Sequence, residues 1–281
     1  MTLELTGQVA IVTGAGRGIG RAIARRLAES GASVTVAARS RDEIVDTATQ
    51  IEADGGQALA LPVDVTDWNA VQSMVAQTEE RFGPADLIVN NAGIGGGGGN
   101  FWEADPERWW RTVEVNLRGV ALCTRAVLPG MIKRQRGRIV NVASNSAIRT
   151  NPYGSDYAGS KAAVLRFTDS VAAEARPYGV HIFAISPGLV RTAMTNRRRH
   201  SSPSDADVAS HPQQMRTLGP WVPPERAADL CLFLASGRGD ALAGHFIHIG
   251  DDLDELLRHA DRIAEKGLYV LRLPKLDGLA R

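Results

Sequence analysis

The chain has 281 residues, of which 32 are lysine or arginine and 31 are aspartate or glutamate, so its formal net charge of +1 gives no general attraction to nucleic acid or to an anionic membrane. No apolar run approaches the ~18 residues that a membrane helix needs. A strand pattern begins already at Gln8, so no secretory signal is expected. These features argue against a nucleic-acid or membrane partner and predict a cytoplasmic protein that acts on a small molecule.

Short β-branched or aliphatic runs alternate with longer amphipathic stretches from Gln8 to Gly250, which is the pattern of a parallel sheet whose strands are joined by crossover helices. Most of these runs are apolar throughout, as strands buried on both faces should be. The predicted strands are Gln8–Thr13, Ser33–Ala38, Ala58–Val63, Leu87–Asn90, Arg138–Val142, Val180–Ser186 and His245–Ile249. The predicted helices include Ile19–Glu29, Asp67–Arg81, Trp109–Ile132, Tyr157–Arg176 and Glu225–Ala235. We therefore predict an α/β fold, a single Rossmann-type doubly wound domain over residues 1–250 with a seven-stranded parallel sheet flanked by helices.

Three segments depart from this alternation. The pentaglycine run Gly95–Gly99 is predicted to be a flexible loop within the domain. The segment Arg191–Pro223 lacks periodicity and is a candidate substrate loop, although its charge run Arg197–His200 is more typical of a solvated surface than of an anion site. Residues 251–281 form a predicted C-terminal extension, a helical apolar stripe followed by a strand-like Leu268–Leu273, which packs on the domain or on a neighbouring subunit.

A glycine-rich turn follows the first predicted strand directly and reads TGAGRGIG from Thr13 to Gly20. Glycines let the backbone turn tightly and approach a pyrophosphate, whose charge is then met by the N-terminus of the following helix. The spacing does not satisfy the generic GxGxxG pattern because Ile19 stands where the third glycine would be. The turn alone is therefore weak support for a dinucleotide site.

Further motifs follow in a characteristic order. The turn reads as TGxxxGxG, and it is followed by Asn90-Asn91-Ala92-Gly93, Asn116, Ser144, the pair Tyr157 and Lys161 in YAGSK, and Pro187-Gly188. In order and spacing, over roughly residues 6–250, these motifs resemble the classical short-chain dehydrogenase/reductase family. The resemblance implies an oxidoreductase that transfers hydride between a nicotinamide and a carbonyl or secondary alcohol.

The same resemblance implies the residues that bind the cofactor. The pyrophosphate turn would be formed by Gly14, Gly18 and Gly20, and Arg17 and Ile19 of the same turn would also bind the cofactor. Asp64 and Val65 would lie by the adenine; Asn90, Ala92 and Gly93 would line the cleft; Tyr157 and Lys161 would lie by the nicotinamide ribose; and Pro187, Gly188 and Thr192 would contact the carboxamide. For Asp64 an alternative is a carboxylate that caps a turn or the following helix.

The choice between NADP(H) and NAD(H) is expected at the end of the second strand, where an acidic residue would bind the ribose hydroxyls and repel a 2′-phosphate. The stretch AARS ending at Ser40 holds no carboxylate. Arg39, helped by Arg17, offers planar donors suited to a phosphate. NADP(H) is therefore favoured over NAD(H), the alternative being that both arginines are solvated surface charges.

The predicted chemistry centres on Tyr157 and Lys161, whose four-residue spacing puts both side chains on one helix face. A free tyrosine has a pKa near ~10, and a nearby ammonium favours the phenolate. Ser144 ends the fifth strand, where its hydroxyl can donate to a substrate oxygen; Ser146 is a neighbouring alternative with a less fitting spacing. By resemblance, Asn116 completes the catalytic set by holding a water that relays protons to Lys161. Tyr157 would be the general acid/base, with no metal required.

Two alternative functions share parts of this pattern. A 3-oxoacyl thioester reductase would carry every one of these motifs. A non-catalytic NADP-sensing regulatory protein would keep the glycine-rich turn but would be free to lose the catalytic residues, all of which this chain retains. In either case a homodimer or homotetramer is expected.

The remaining candidates have structural interpretations. Cys123 and Cys231 lie in apolar helical patterns and are expected to be buried packing residues. The HxxH spacing of His245 and His248 falls within a strand pattern and is interpreted as structural. The residues considered for the substrate pocket are Trp102, Arg149, Tyr153 and Trp221.

Overall fold

A computed structural model of the protein describes residues 4–192, 194–195 and 220–272. The main-sheet strands are β1 (Val9–Thr13), β2 (Ser33–Ala38), β3 (Gln57–Pro62), β4 (Leu87–Asn90), β5 (Gly137–Val142), β6 (Val180–Ser186) and β9 (Phe246–His248), all parallel to their neighbours. A small parallel pair is formed by β7 (Leu189–Val190) and β8 (Trp221–Val222). The predicted seven-stranded sheet is confirmed, and each predicted strand end lies within one residue of the observed one.

The order of strands in the main sheet is β3-β2-β1-β4-β5-β6-β9. The chain thus builds outward from β1 to one edge and then returns to build outward from β4 to the other. Ile11 of β1 pairs with Thr35 of β2 on one side and with Ile88 of β4 on the other. In a doubly wound sheet a crevice opens where the order reverses, beyond the carboxyl ends of the strands. The candidate site is therefore expected beyond β1 and β4.

Nine α-helices accompany the strands in the part of the chain that the structure describes. They are α1 (Gly18–Glu29), α2 (Arg41–Ala53), α3 (Trp68–Phe82), α4 (Pro106–Val113), α5 (Gly119–Arg134), α6 (Ser155–Ala175), α7 (Glu225–Ala235), α8 (Leu253–Arg258) and α9 (Ala260–Lys266). Side chains of a strand alternate between its faces, so Val12 packs into a core cluster with α1 and α7 while Ile11 packs into another with α3 and α5. Among these residues, no helix has both the length and the apolar character to cross a bilayer.

The helix predicted over Trp109–Ile132 is interrupted. It begins earlier, at Pro106, because Asp105 caps it by accepting a hydrogen bond from the Glu107 amide and proline suits the first helical position. Between α4 and α5 the chain makes a π-helical turn over Glu114–Arg118. Such turns are rare and often lie at functional sites, and no periodicity in the sequence indicated this one.

The C-terminal extension contributes helices α8 and α9, whose Leu256, Ala260 and Ile263 are buried in the same cluster as α1 and α7. The strand expected at Leu268–Leu273 is not formed over residues 268–272, and residue 273 lies outside the described part. One backbone hydrogen bond joins the Phe246 amide to the Tyr269 carbonyl at 2.7 Å. Tyr269 has a φ of 56°, in the left-handed region, which breaks the extended chain that a strand needs.

Candidate active site

The glycine-rich turn, residues 13–20, connects β1 to α1 at the sheet's point of reversal. Gly14 and Gly18 have φ values of 63° and 55°, which disfavour residues with a side chain. A Cβ on Gly20 would lie 2.3 Å from the Gly14 carbonyl oxygen and 2.4 Å from Asn91 Nδ2. The turn thus presents bare backbone at the start of α1, the arrangement that a pyrophosphate requires.

Asn91 holds this turn from the neighbouring strand. Its Nδ2 donates to the carbonyl oxygens of Thr13 at 2.9 Å and Gly14 at 3.1 Å. In return, Thr13 Oγ1 accepts hydrogen bonds from the Asn91 and Ala92 amides, both at 3.1 Å. Asn91 was not among the predicted cofactor-binding residues, although the Asn-Asn pair of its motif was the available signal. The loops that follow β1 and β4 are therefore fixed to each other.

Side chains of α1 and α2 hold the outer side of the turn. Arg21 donates to the Gly16 carbonyl oxygen from Nε at 3.0 Å and from Nη2 at 2.6 Å, and Thr47 Oγ1 donates to the same oxygen at 3.3 Å. The Arg17 side chain is 57% exposed and forms an ion pair with Glu43 at 3.0 Å. Arg39 is exposed at the end of β2. Glu43 was not predicted because it lies far from the turn in sequence.

Asn90 was predicted to line the cleft, but the structure places its side chain in the interior. It is 2% exposed, and its Nδ2 donates to Asn141 Oδ1 at 2.8 Å and to Thr124 Oγ1 at 3.1 Å. The last residue of β4 points toward α5 because side chains alternate along a strand. Asn90 therefore joins the ends of β4 and β5 to α5.

Asp64 forms the turn that the alternative interpretation proposed. Its Oδ1 accepts hydrogen bonds from the Thr66 amide at 2.9 Å and from Thr66 Oγ1 at 2.7 Å, while Arg111 Nη2 donates to Oδ2 at 3.1 Å. Partial burial raises the pKa of Asp64, but the Thr66 hydrogen bonds and the Arg111 charge outweigh it, so the pKa lies below the usual 3.8. Val65 is buried against Gly119.

The segment after β6 approaches the glycine-rich turn from the other side. Pro187 is buried, and Gly188 has a φ of 71°, with a Cβ there lying 2.6 Å from Ile249 Cδ1. Thr192 Cγ2 lies 3.2 Å from the place that a Cβ on Gly18 would occupy. The structure thus brings Thr192 close to the glycine-rich turn, and its contact with the carboxamide stays a prediction. Ile19 is half-buried behind it and packs on the core.

Tyr157 and Lys161 lie on the first turns of α6. Lys161 is 4% exposed, and its Nζ donates to the Val142 carbonyl oxygen at 2.6 Å, at the end of β5. The same Nζ lies 5.9 Å from the centroid of the Tyr157 ring. Burial lowers the pKa of Lys161 from 10.5 to about 8. Ser144 is half-buried just beyond β5, and its Oγ accepts a hydrogen bond from the Ser146 amide at 3.1 Å.

Asn116 lies in the π-helical turn and is fully buried. Its Oδ1 accepts a hydrogen bond from the Ile94 amide at 2.8 Å, and its Nδ2 donates to the Ile94 carbonyl oxygen at 3.0 Å and to Ser160 Oγ at 3.1 Å. A Cβ on Gly93 would lie 3.1 Å from Asn116 Oδ1 and 3.7 Å from Lys161 Nζ. The chain after β4, the π-helical turn and α6 therefore meet around Lys161.

The residues considered for the substrate pocket differ in exposure, and the two cysteines are buried. Trp102 is 79% exposed, Arg149 is exposed, Tyr153 is half-buried, and the guanidinium of Arg191 lies 5.3 Å from a ring centroid of Trp221. The run Arg197–His200 and most of the predicted substrate loop lie outside the described residues. Cys123 and Cys231 are free and buried as predicted, and burial raises the pKa of both thiols.

Comparison with known proteins places this chain in a family. Residues 8–203 match the sequence profile of the short chain dehydrogenases. A short chain dehydrogenase of Pseudocercospora fijiensis is 36% identical over 285 residues, covering 96% of this chain and 90% of that protein. The chain belongs to the short-chain dehydrogenase/reductase family. Members of this family are oxidoreductases that act on CH–OH and C=O groups of small molecules with NAD(P)(H), and this protein is such an enzyme.

Two further members of the family are similar along most of their length. A 3-oxoacyl-(acyl-carrier-protein) reductase of Synechocystis sp. is 36% identical over 233 residues, which cover 83% of this chain and 90% of that one. The structure of a variant of actinorhodin polyketide ketoreductase with NADPH gives a TM-score of 0.78 at 34% identity, covering 86% of this chain and 95% of that one. Ketone reduction is therefore represented among the relatives of this short-chain dehydrogenase/reductase.

Proposed function

We propose that this enzyme transfers hydride between NADP(H) and a carbonyl or secondary alcohol, with Tyr157 as general acid/base. The observation that carries the proposal is the position of the Lys161 ammonium, buried at the end of β5 and 5.9 Å from the Tyr157 ring. A phenol and an ammonium on one face of α6 form a proton-transferring pair. The glycine-rich turn supports a dinucleotide site, because its backbone packs so closely at the start of α1 that a Cβ on Gly20 would clash with the Gly14 carbonyl oxygen.

In the reaction each residue acts at a defined atom. The nicotinamide, when bound, supplies or accepts the hydride. In the direction of reduction, the Tyr157 phenol gives its proton to the carbonyl oxygen, and in oxidation the phenolate takes it from the alcohol. Lys161 stabilises the phenolate by its charge. Since Ser144 Oγ accepts from the Ser146 amide, its own hydrogen is directed elsewhere and can be donated to the substrate oxygen.

Asn116 would complete the set by ordering the surroundings of Lys161. Its amide hydrogen bonds with Ile94 and Ser160 fix the chain that passes the lysine. The water that is proposed to relay protons to Lys161 would lie next to the side-chain amide of Asn116.

As expected for the family, we also propose that the protein assembles into a homodimer or homotetramer.

The preference for NADP(H) rests on the end of β2. Arg39 is exposed there, and in the described part of the chain it forms no ion pair with a carboxylate. Arg17 lies on the adjoining turn, already oriented by Glu43. Two guanidinium groups without an acidic residue at positions 37–40 favour a 2′-phosphate.

Replacing Arg39 by Asp tests this preference. The carboxylate would repel the 2′-phosphate and accept hydrogen bonds from the ribose hydroxyls, so the ratio of kcat/KM for NADP(H) over NAD(H) is expected to fall about tenfold or more. The same charge change at the exposed Arg258 on α8 serves as the control and should leave the ratio unchanged. An unaltered ratio in Arg39→Asp would remove Arg39 from the cofactor site.

Replacing Gly20 by Ala tests the glycine-rich turn itself. The added methyl group would lie 2.3 Å from the Gly14 carbonyl oxygen, so the turn must open, and dinucleotide affinity is expected to fall about tenfold or more in a fluorescence titration with NADPH. Gly159, in α6, provides the matched control, because a Cβ added there would have no atom within 4 Å. Gly159→Ala should bind NADPH normally and unfold at an equal or higher temperature. Normal NADPH binding by Gly20→Ala would place the dinucleotide elsewhere.

A 3-oxoacyl thioester reductase is the second candidate, favoured by the named similarity to the Synechocystis 3-oxoacyl reductase and to a polyketide ketoreductase. A panel of simple ketones, cyclic ketones and acetoacetyl thioesters, followed by NADPH absorbance, distinguishes the two candidates by which class is reduced fastest. Tight NADPH binding without reduction or alcohol oxidation across the panel would instead support a regulatory protein that senses NADP(H).

A further inference from the structure

Asp156, the residue immediately before Tyr157, is a buried carboxylate for which the proposed reaction has no use. It is 4% exposed. Its Oδ1 accepts a hydrogen bond from the Tyr157 amide at 2.7 Å, and its Oδ2 accepts from the Gly97 amide at 2.9 Å and from Thr112 Oγ1 at 3.1 Å. A buried charge is costly unless hydrogen bonds satisfy it. The carboxylate therefore links α6, α4 and the backbone at Gly97 through these hydrogen bonds.

The glycine segment, residues 93–97, runs alongside the first turns of α6. At its start, a Cβ on Gly93 would lie 3.7 Å from Lys161 Nζ, and both backbone polar groups of Ile94 are bound by Asn116. At its end, Gly97 is bound by Asp156. The segment is therefore held at one end near the Lys161 ammonium and at the other by the Asp156 carboxylate, the two groups that flank Tyr157 along α6.

The sequence of this segment matches the contact with Asp156. A Cβ on Gly96 would lie 2.2 Å from Asp156 Oδ1, so only glycine leaves room for the carboxylate. Glycines 95–99 have no side chains with which to pack, and glycine runs are conformationally free unless their backbone is held. In the described structure, Asp156 supplies that restraint through the Gly97 amide.

We propose that Asp156 is a positioning residue that holds the glycine segment as a wall of the substrate site beside Tyr157. The inference rests on the proposed function, because it assumes that substrate binds next to the Tyr157 phenol. Asp156 itself does not touch the reacting atoms, since both of its oxygens are occupied by the protein. Its contribution is expected in substrate binding and in the order of residues 95–99, with little effect on the chemical step or on the dinucleotide.

Asp156→Asn is the first test, because the amide keeps the shape but turns one acceptor into a donor that faces an N–H group. With the ketone that the panel shows to be the best substrate, KM is expected to rise about tenfold while kcat changes less than threefold and the Kd for NADPH is unchanged. Hydrogen–deuterium exchange measured by mass spectrometry is expected to speed up in peptides covering residues 94–100 and to stay the same in the strands. Thr112→Val, which removes one of the three donors and leaves both amides, is expected to show the same pattern more weakly.

Asp67→Asn is the matched control. Asp67 caps α3 by accepting from the Asn69 and Ala70 amides, so this variant makes the same chemical change at an exposed site. It should leave KM and the exchange of residues 94–100 unchanged.

Three results would overturn the proposal. One is unchanged KM and unchanged exchange of residues 94–100 in Asp156→Asn. Another is a fall in kcat with faster exchange throughout the chain, which would mark a general role in stability; if Asp156→Asn does not fold, Thr112→Val is read by the same criteria. The third is faster exchange at residues 94–100 with no change in KM, which would show that the segment does not border the substrate. Absence of turnover in the unmodified enzyme would instead contradict the proposed function, and the exchange measurement would still decide whether Asp156 holds the segment.

Discussion

Tyr157→Phe is expected to lower turnover about a thousandfold while leaving the Kd for NADPH unchanged. Phenylalanine keeps the ring that lies beside Lys161 and removes only the O–H group that exchanges the proton with substrate. Without that group the hydride transfer would leave an unprotonated alkoxide in a partly desolvated site. The measurement combines steady-state rates in both directions with a fluorescence titration of NADPH.

Tyr178, which is 46% exposed in the 3₁₀ turn that follows α6, offers the control. Tyr178→Phe makes the same chemical change away from the cleft and should retain full activity. Retained turnover in Tyr157→Phe would contradict the assignment of the general acid/base. Loss of NADPH binding together with turnover would show that the ring organises the cofactor site and would leave its proton-transfer role unsupported.

Lys161→Met is expected to lower turnover about a hundredfold or more and to remove the alkaline limb of the pH profile. Burial lowers the pKa of Lys161 from 10.5 to about 8, so the ammonium is present below this pH and is lost above it. The ammonium stabilises the phenolate and so makes Tyr157 a better proton donor. In the direction of reduction, log kcat/KM of the unmodified enzyme is therefore expected to decline as pH rises above about 8.

The burial of Lys161 also makes the stability of the folded protein depend on pH. The unfolded chain holds the lysine proton up to about 10.5, whereas the folded protein releases it near 8, so unfolding takes up a proton between these values. The free energy of unfolding therefore rises with pH between about 8 and 10.5. Below about pH 8 the folded state carries the full cost of burying the ammonium. Lys133→Met, at an exposed position of α5, should change neither profile. A decline above pH 8 that persists in Lys161→Met would assign the titration to another group.

The strands and the catalytic pair could be predicted because their signals are local. Runs of apolar residues mark strands buried on both faces, and a four-residue helical spacing places Tyr157 and Lys161 together whatever surrounds them. The direction in which the last side chain of a strand points depends on the register of that strand in the sheet, which the sequence motif does not show. Asn90 was therefore expected in the cleft, whereas its side chain lies in the interior. The left-handed Tyr269 backbone, which ends the predicted final strand, has no signature in residue type.

The remaining differences arise from contacts between residues distant in sequence. Glu43 meets Arg17 and Arg111 meets Asp64 only once the helices have packed. Asp156 was not singled out in the sequence, because its partner Gly97 lies 59 positions away. The π-helical turn that carries Asn116 is likewise a product of packing between α4, α5 and α6. Such features follow from the assembled fold, and local periodicity does not encode them.

The hydrogen bonds from Asn91 to the Thr13 and Gly14 carbonyl groups make the glycine-rich turn depend on a later part of the chain. A fragment that stopped after α3 would still hold every glycine of the turn, together with Arg17 and Arg39. It would lack the Asn91 side-chain amide, which donates to the Thr13 and Gly14 carbonyl oxygens. The conformation of the glycine-rich turn therefore depends on the chain that follows β4 as well as on the first strands and helices.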